Sequence, residues 1–241
     1  MTAFAYTLAP DPVQMGVVVL QTDETLESDL RRLLPDAINW LVSRVPAATD
    51  VSADSLQAIE HHLTGAASLF PTGAQMAAVG YGCTSGTAQV GADVISARVR
   101  AGVTTLAVTE PVSALIAACH ALGIQRLALL SPYVATVSDR LRDVLAEAGI
   151  ATPVFGSFHE ANEAQVVRIA QSSVAQAAET LVAGADVQGV FLSCTNLHTL
   201  DVIAPLQARL GMPVLSSNLV LAWHMMQLGA PHEAPAHPIA L

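Results

Sequence analysis

Short apolar runs rich in β-branched residues recur along the chain at Met15–Leu20, Met76–Gly80, Thr104–Val108, Arg126–Leu130, Gly189–Leu192 and Pro213–Leu215. Continuous rather than alternating, they read as strands buried on both faces, the pattern of a parallel sheet. Between them, Thr25–Leu34, Ser52–Leu63, Val112–Leu122, Ser138–Ala148 and Val174–Val182 place apolar residues at three- and four-residue spacing, which predicts helices. Strand and helix alternate throughout, so the expected fold is α/β with helix-covered parallel sheets. The tail from Gly229, with Pro231, Pro235 and Pro238, predicts no regular element, and its His232 and His237 are expected at the surface.

A second regularity lies above the level of single elements. Gly82-Cys83-Thr84-Ser85 and Ser193-Cys194-Thr195-Asn196 each follow an apolar run, and the two cysteines are 111 positions apart. The same offset carries Val17–Thr22 onto Ala128–Tyr133, again an apolar run entering a polar loop, and takes Leu26 to Val137 and Leu30 to Leu141. A repeat of strand, loop, helix and strand-Cys-Thr predicts two Rossmann-like lobes related by a pseudo-twofold axis. Loops at the carboxyl ends of parallel strands are where open α/β sheets bind ligands, so each lobe is expected to present one Cys-Thr loop to a shared cleft.

Composition narrows the chemistry. With 52% hydrophobic and 12% charged residues among 241, the chain can bury a sizeable core, and no apolar run is long enough to span a membrane. The net charge of −10 and the absence of any basic cluster beyond Arg31-Arg32 argue against nucleic acid as a partner. Met1–Tyr6 shows no targeting pattern, which makes the cytoplasm the expected compartment. All ten basic residues are arginine. Without lysine there is no pyridoxal phosphate Schiff base, no Schiff-base aldolase and no P-loop. The eight histidines are scattered and neither C-x-x-C nor H-E-x-x-H occurs, so no metal site is expected, and three distant cysteines do not make a disulfide framework.

Two opposed thiols can remove a proton beside a carboxylate and return one to the other face, one acting as base and one as acid. Each Cys-Thr loop is followed by helical sequence, where backbone N–H groups are expected to lower a thiol pKa towards the operating range. Thr84, Ser85, Thr87, Thr195 and Asn196 offer hydroxyl and amide groups for a carboxylate and the enediolate derived from it. Cys119, at helical spacing with Leu115, Ile116 and Leu122, reads as a buried packing residue. An α/β-hydrolase elbow fails because Tyr81 and Ser85 stand where glycines are required. A dinucleotide turn at Gly80-x-Gly82-x-x-x-Gly86 lacks the acidic residue some twenty positions on. A two-lobed small-molecule binding protein is the non-enzyme alternative.

These motifs, with Ser131-Pro132-Tyr133 and Leu210–Ser217, resemble those of the Asp/Glu racemase superfamily, in the branch of maleate cis-trans isomerase, arylmalonate decarboxylase and the ectoine-utilisation protein. The resemblance covers nearly the whole chain. It implies an N-terminal lobe of residues 1–114 plus 217–241, a C-terminal lobe of 115–216, and an active site in the cleft between them. It implies Cys83 and Cys194 as catalytic thiols, Thr84, Ser85, Tyr133, Thr195 and Asn196 as donors to substrate, and Asn162 as a substrate-binding residue of the second lobe. The expected activity is a racemase or isomerase acting on a small carboxylate, amino-acid-like or dicarboxylate, with no cofactor and no metal; subunit number stays open, homo-oligomers included. Cis-trans isomerisation through a covalent cysteine adduct and arylmalonate-type decarboxylation are the alternatives. Asp23 stands where maleate isomerases of the branch carry asparagine, and Asn196 where amino-acid racemases carry histidine. Asp23 is expected either to receive a substrate ammonium or to cap the helix that follows it.

Overall fold

The computed structural model describes residues 2–9 and 12–240; Met1, at the head of the stretch read above for a targeting signal, lies outside the described residues. Eight strands form two separate four-stranded sheets. The first contains β1 (Gln14–Leu20), β2 (Asn39–Val45), β3 (Gln75–Gly82) and β4 (Thr104–Thr109) in the order β2-β1-β3-β4. The second contains β5 (Arg126–Tyr133), β6 (Ala151–Glu160), β7 (Gly189–Leu192) and β8 (Val214–Ser216) in the order β6-β5-β7-β8. Every strand pair is parallel, and the two orders are the same, so the repeat read from the sequence is a repeat of topology.

The connecting helices are α1 (Leu26–Leu33), α2 (Ala53–Ala58), α3 (Glu60–Ala67), α4 (Thr84–Val90), α5 (Ala92–Gly102), α6 (Pro111–Leu122), α7 (Ala135–Glu147), α8 (Glu163–Val166), α9 (Gln171–Val182), α10 (Leu200–Leu210) and α11 (Ser217–Gly229). Parallel strands cannot be joined by hairpins, so the crossovers cover the sheet faces. Met15, Val17, Val18 and Val19 of β1 and Leu127, Ala128 and Leu129 of β5 are fully buried, as central strands require. Among the described residues no helix is long and apolar enough to cross a membrane.

Three features depart from the sequence reading. The strands β2 and β6 lie at sheet edges, where half-exposed faces, Arg44 in β2 and Pro153 in β6 interrupt the apolar run that marks a buried strand. Helix α11 shows no amphipathic period because it is buried on nearly every side, packing on α6, β3, β4 and α1. Gly229 is its last residue rather than the start of an irregular tail. The segment beyond is pinned where Trp223 Nε1 and Gln227 Nε2 donate to the Pro235 carbonyl at 2.9 and 2.6 Å, and a 3₁₀ turn follows at Pro238–Ala240.

Candidate active site

The strands β1, β3, β5 and β7 all deliver their carboxyl-terminal loops to one small cavity of about 10 Å³. Leu20, Thr22 and Asp23 come from the β1 loop, and Cys83, Thr84 and Ser85 from the β3 loop. Tyr133 ends β5, Glu163 opens α8, and Cys194, Thr195 and Asn196 follow β7. Both thiols suited to proton transfer therefore face the same space, one from each half of the repeat. Cys119 stays fully buried in α6 and does not line it.

Cys83 caps α4, its sulfur accepting the Gly86 N–H at 3.1 Å. Glycine at position 86 is a matter of space, since a Cβ there would lie 2.9 Å from Cys83 Sγ and 2.7 Å from the Tyr81 hydroxyl. Alanine normally gains about 1 kcal/mol over glycine inside a helix, so Gly86→Ala separates helix formation from thiol placement. The expected outcome is an intact fold by circular dichroism with kcat down by about a hundredfold, the cost of displacing a reacting group by about 1 Å.

Cys194 is held differently. Its φ of 111° is a conformation that L-residues rarely adopt, a strain of about 1–3 kcal/mol that the surrounding bonds must offset. Its N–H donates to Ser217 Oγ at 3.0 Å, and the same oxygen accepts from Thr84 Oγ1 at 2.7 Å. One hydroxyl at the start of α11 thus joins the two Cys-Thr loops. The sulfur receives the Asn196 N–H at 3.3 Å and lies 3.0 Å from the Tyr133 hydroxyl.

Two carboxylates share the cavity. Asp23 Oδ1 accepts the N–H groups of Thr25 and Leu26 at 2.9 and 2.8 Å, which makes it the cap of α1, while Oδ2 is buried without a partner. Both expected roles are therefore geometrically open to it, one through each oxygen. Glu163 Oε1 accepts the Tyr133 hydroxyl at 2.6 Å, and Oε2 accepts Asn196 Nδ2 at 2.9 Å. No arginine or histidine lines the cavity. The Arg44 guanidinium donates to the carbonyls of Leu20 and Asp23. Burial raises the pKa of both carboxyl groups, opposed in Asp23 by the Leu26 N–H and in Glu163 by the Tyr133 hydroxyl.

Two expectations are corrected. Asn162 is not in the cavity: it caps α8 through the Ala164 N–H at 3.0 Å and reaches Asp50 at 3.2 Å, and the next residue, Glu163, points inward instead. The thiol pKa values do not fall, and only Cys83 stands at a helix N-terminus, that of α4, while Cys194 lies in the loop ahead of α10. Burial pushes Cys83 up to about 12, against the Gly86 N–H that lowers it, and pushes Cys194 well above the ordinary thiol value, with the Glu163 charge adding to both. One amide dipole does not offset the loss of solvation. Thr84 and Ser85 lie on the cavity wall as expected, and so does Thr195, whose hydroxyl donates to the Gly82 carbonyl at 3.3 Å. Asn196 also accepts the Glu24 N–H at 2.8 Å, so its amide braces the loops around Cys194. Glu163 was absent from the sequence reading, and Ser217 entered it only as the end of the segment Leu210–Ser217, with no role at the site. In sequence Glu163 is an ordinary acidic residue in the first turn of a helix, and Ser217 an ordinary hydroxyl after a short strand.

The family model described as "Amdase: Arylmalonate decarboxylase" matches residues 15–238. The chain belongs to the arylmalonate decarboxylase family. Within that family, the enzyme of Bordetella bronchiseptica is 31% identical over 126 residues, 52% of either protein, so the chain spans about half the length of the curated relatives it matches. A liganded double mutant of arylmalonate decarboxylase superposes with a TM-score of 0.81 at 25% identity, covering 90% of this chain and 93% of that one. The maleate isomerase Iso from Pseudomonas putida S16 also superposes at 0.81, with 19% identity over 93% and 94% of the two chains. The arylmalonate decarboxylase family therefore accounts for the two-lobed α/β fold found here. Among the described residues no group of three or more His, Cys, Asp or Glu side chains is arranged to hold a metal ion.

Proposed function

We propose that the chain is an isomerase that moves a proton at the carbon beside the carboxylate of a small, ammonium-bearing substrate, with Cys83 and Cys194 as the acid–base pair. The observation that carries the reading is the convergence of both thiols, one from each half of the repeat, on one enclosed cavity. Bound between them, the substrate α-carbon would lose its proton to one sulfur and gain one from the other, inverting its configuration. The hydroxyl of Ser85 and the Cys-Thr loop amides are the groups available to an enediolate, since the Tyr133 hydroxyl donates to Glu163. The division into 1–114 plus 217–241 and 115–216 gives each lobe one thiol, and the packing of α11 on β3 and β4 supports it.

Electrostatics supports an ammonium. Two buried carboxyl groups, both pushed up in pKa by burial, and no lining cation favour a substrate that brings positive charge and stabilises their ionised forms, and Asp23 Oδ2 is an unpartnered acceptor for it. A second substrate carboxylate would meet repulsion instead. Decarboxylation of a malonate is the competing reading, favoured by the family relationship. One experiment separates the two. Candidate amino acids, dicarboxylates and arylmalonates are incubated in deuterium oxide and followed by NMR and polarimetry. The expected result is α-deuteration with loss of optical rotation for an amino acid or diamino acid derivative. Carbon dioxide release from malonates, with no exchange in any amino acid, would replace this reading with decarboxylation.

A further inference from the structure

Cys83 and Cys194 are equivalent in the repeat and unequal in their surroundings. The side chain bonded to Cys194 is the Tyr133 hydroxyl, and that hydroxyl is bonded in turn to a buried carboxylate. A phenol has one proton to give. At 2.6 Å from Glu163 Oε1 it donates there, so at 3.0 Å its oxygen accepts the S–H of Cys194. The order is Cys194 S–H to Tyr133 O–H to Glu163 carboxylate, a continuous path inside the protein. Asn196 fixes both ends, its Nδ2 on Glu163 Oε2 and its N–H on Cys194 Sγ. Cys83 has no such path: its sulfur is held by the backbone N–H of Gly86, and the Tyr81 hydroxyl buried beside it leads to no carboxylate.

We propose that Glu163 is the proton acceptor for Cys194, reached through the Tyr133 hydroxyl, so that Cys194 enters the reaction as base and Cys83 as acid. When Cys194 reacts, its S–H bond breaks and a new O–H bond forms on Tyr133. The original phenolic O–H bond breaks and an O–H bond forms on Glu163 Oε1. One anion is lost at the carboxylate and one gained at sulfur, so the net charge of the cavity does not change. That balance is what a low-dielectric site requires, because releasing the proton to water would leave two or three uncompensated anions in the same small space. The titratable groups facing the path are Asp23 from the β1 loop, Cys83 from the β3 loop and Tyr133 itself; α11 contributes the neutral Ser217, and Arg44 of β2, not itself in the lining, bonds the carbonyls of Leu20 and Asp23.

The assignment of base and acid rests on the two-thiol reading, but the path is tested without any substrate. The reactivity of each cysteine toward iodoacetamide is measured from mildly acidic to alkaline pH by mass spectrometry of the Cys83 and Cys194 peptides. Wild type is compared with Glu163→Gln and Tyr133→Phe, with circular dichroism to confirm folding. In the wild type, Cys194 should show an inflection where Glu163 ionises and then a plateau before the thiol itself titrates. In both variants that inflection should vanish, and the Cys194 rate at neutral pH should fall by about tenfold or more, the loss in thiolate for each unit of pKa. Cys83 serves as the opposite sign. Glu163 raises both thiols through its charge, so removing that charge alone would make both more reactive. The path predicts a gain at Cys83 and a loss at Cys194 in Glu163→Gln. A gain at both, or an unchanged Cys194 profile in the two variants, overturns it. Such a result would leave the two-thiol isomerase reading to its own exchange experiment, and a failure of that experiment would leave the path intact.

Discussion

Cys83→Ala and Cys194→Ala should each cut turnover by about a thousandfold, while the thermal midpoint shifts by no more than a buried single-atom deletion requires. Transfer of a proton to or from a positioned group is worth about 10²- to 10⁴-fold, and inversion at one carbon needs a group on each face. Neither thiol is a large part of the core: each sits on the cavity wall, so truncation extends existing space. Cys119→Ala is the internal control. It too is fully buried, and burial likewise lifts its thiol to about 12, but it touches packing residues of α6 and no cavity. Its expected cost is about 1 kcal/mol of stability with kcat retained. Activity assays and calorimetry on the three variants decide the matter. Equal loss of activity in all three would assign the cysteines a shared structural role and remove the two-thiol mechanism.

Asp23→Asn should reverse substrate preference. The cap of α1 survives the change, because the asparagine carbonyl oxygen can accept the Thr25 and Leu26 N–H groups as Oδ1 does. What changes is the second atom: an unpartnered, buried carboxyl oxygen becomes an amide donor. A close ion pair at intermediate dielectric is worth about 4 kcal/mol before desolvation is subtracted. A surviving 1.5–3 kcal/mol or so corresponds to about ten- to hundredfold in kcat/KM. Turnover of the amino substrate should fall by that factor, and handling of dicarboxylates should improve. An unchanged preference with slightly lowered stability would leave Asp23 as a helix cap alone.

The parts legible in sequence were those with a repeating cause. Buried strands must be apolar, so β1, β3, β5 and β7 stood out, and the 111-residue offset between Cys83 and Cys194 became two sheets of the same strand order. Strand ends marked Thr84, Ser85, Thr195 and Asn196, the family resemblance added Asp23 and Tyr133, and all six line the cavity. It was not legible where one residue's direction decides. Asn162 and Glu163 are neighbours on a one-turn helix, and which of them faces inward depends on the bend of the chain after β6 rather than on any periodicity. The thiol pKa values failed for a different reason: proximity to a helix N-terminus can be read from sequence, whereas the depth of burial that outweighs it cannot.

The packing of α11 has a consequence for biosynthesis. This helix leaves the last strand of the second sheet and covers β3 and β4 of the first, while Ser217 at its start joins the two Cys-Thr loops. A ribosome makes the first sheet early and its cover only after the second sheet. Throughout synthesis of the second half, the apolar faces of β3 and β4 wait for a helix that has not yet been translated, so the N-terminal half cannot finish folding as an independent unit ahead of the rest. The nascent chain must stay unaggregated until α11 emerges, and a stop codon placed just before Ser217 would remove the cover of the first sheet.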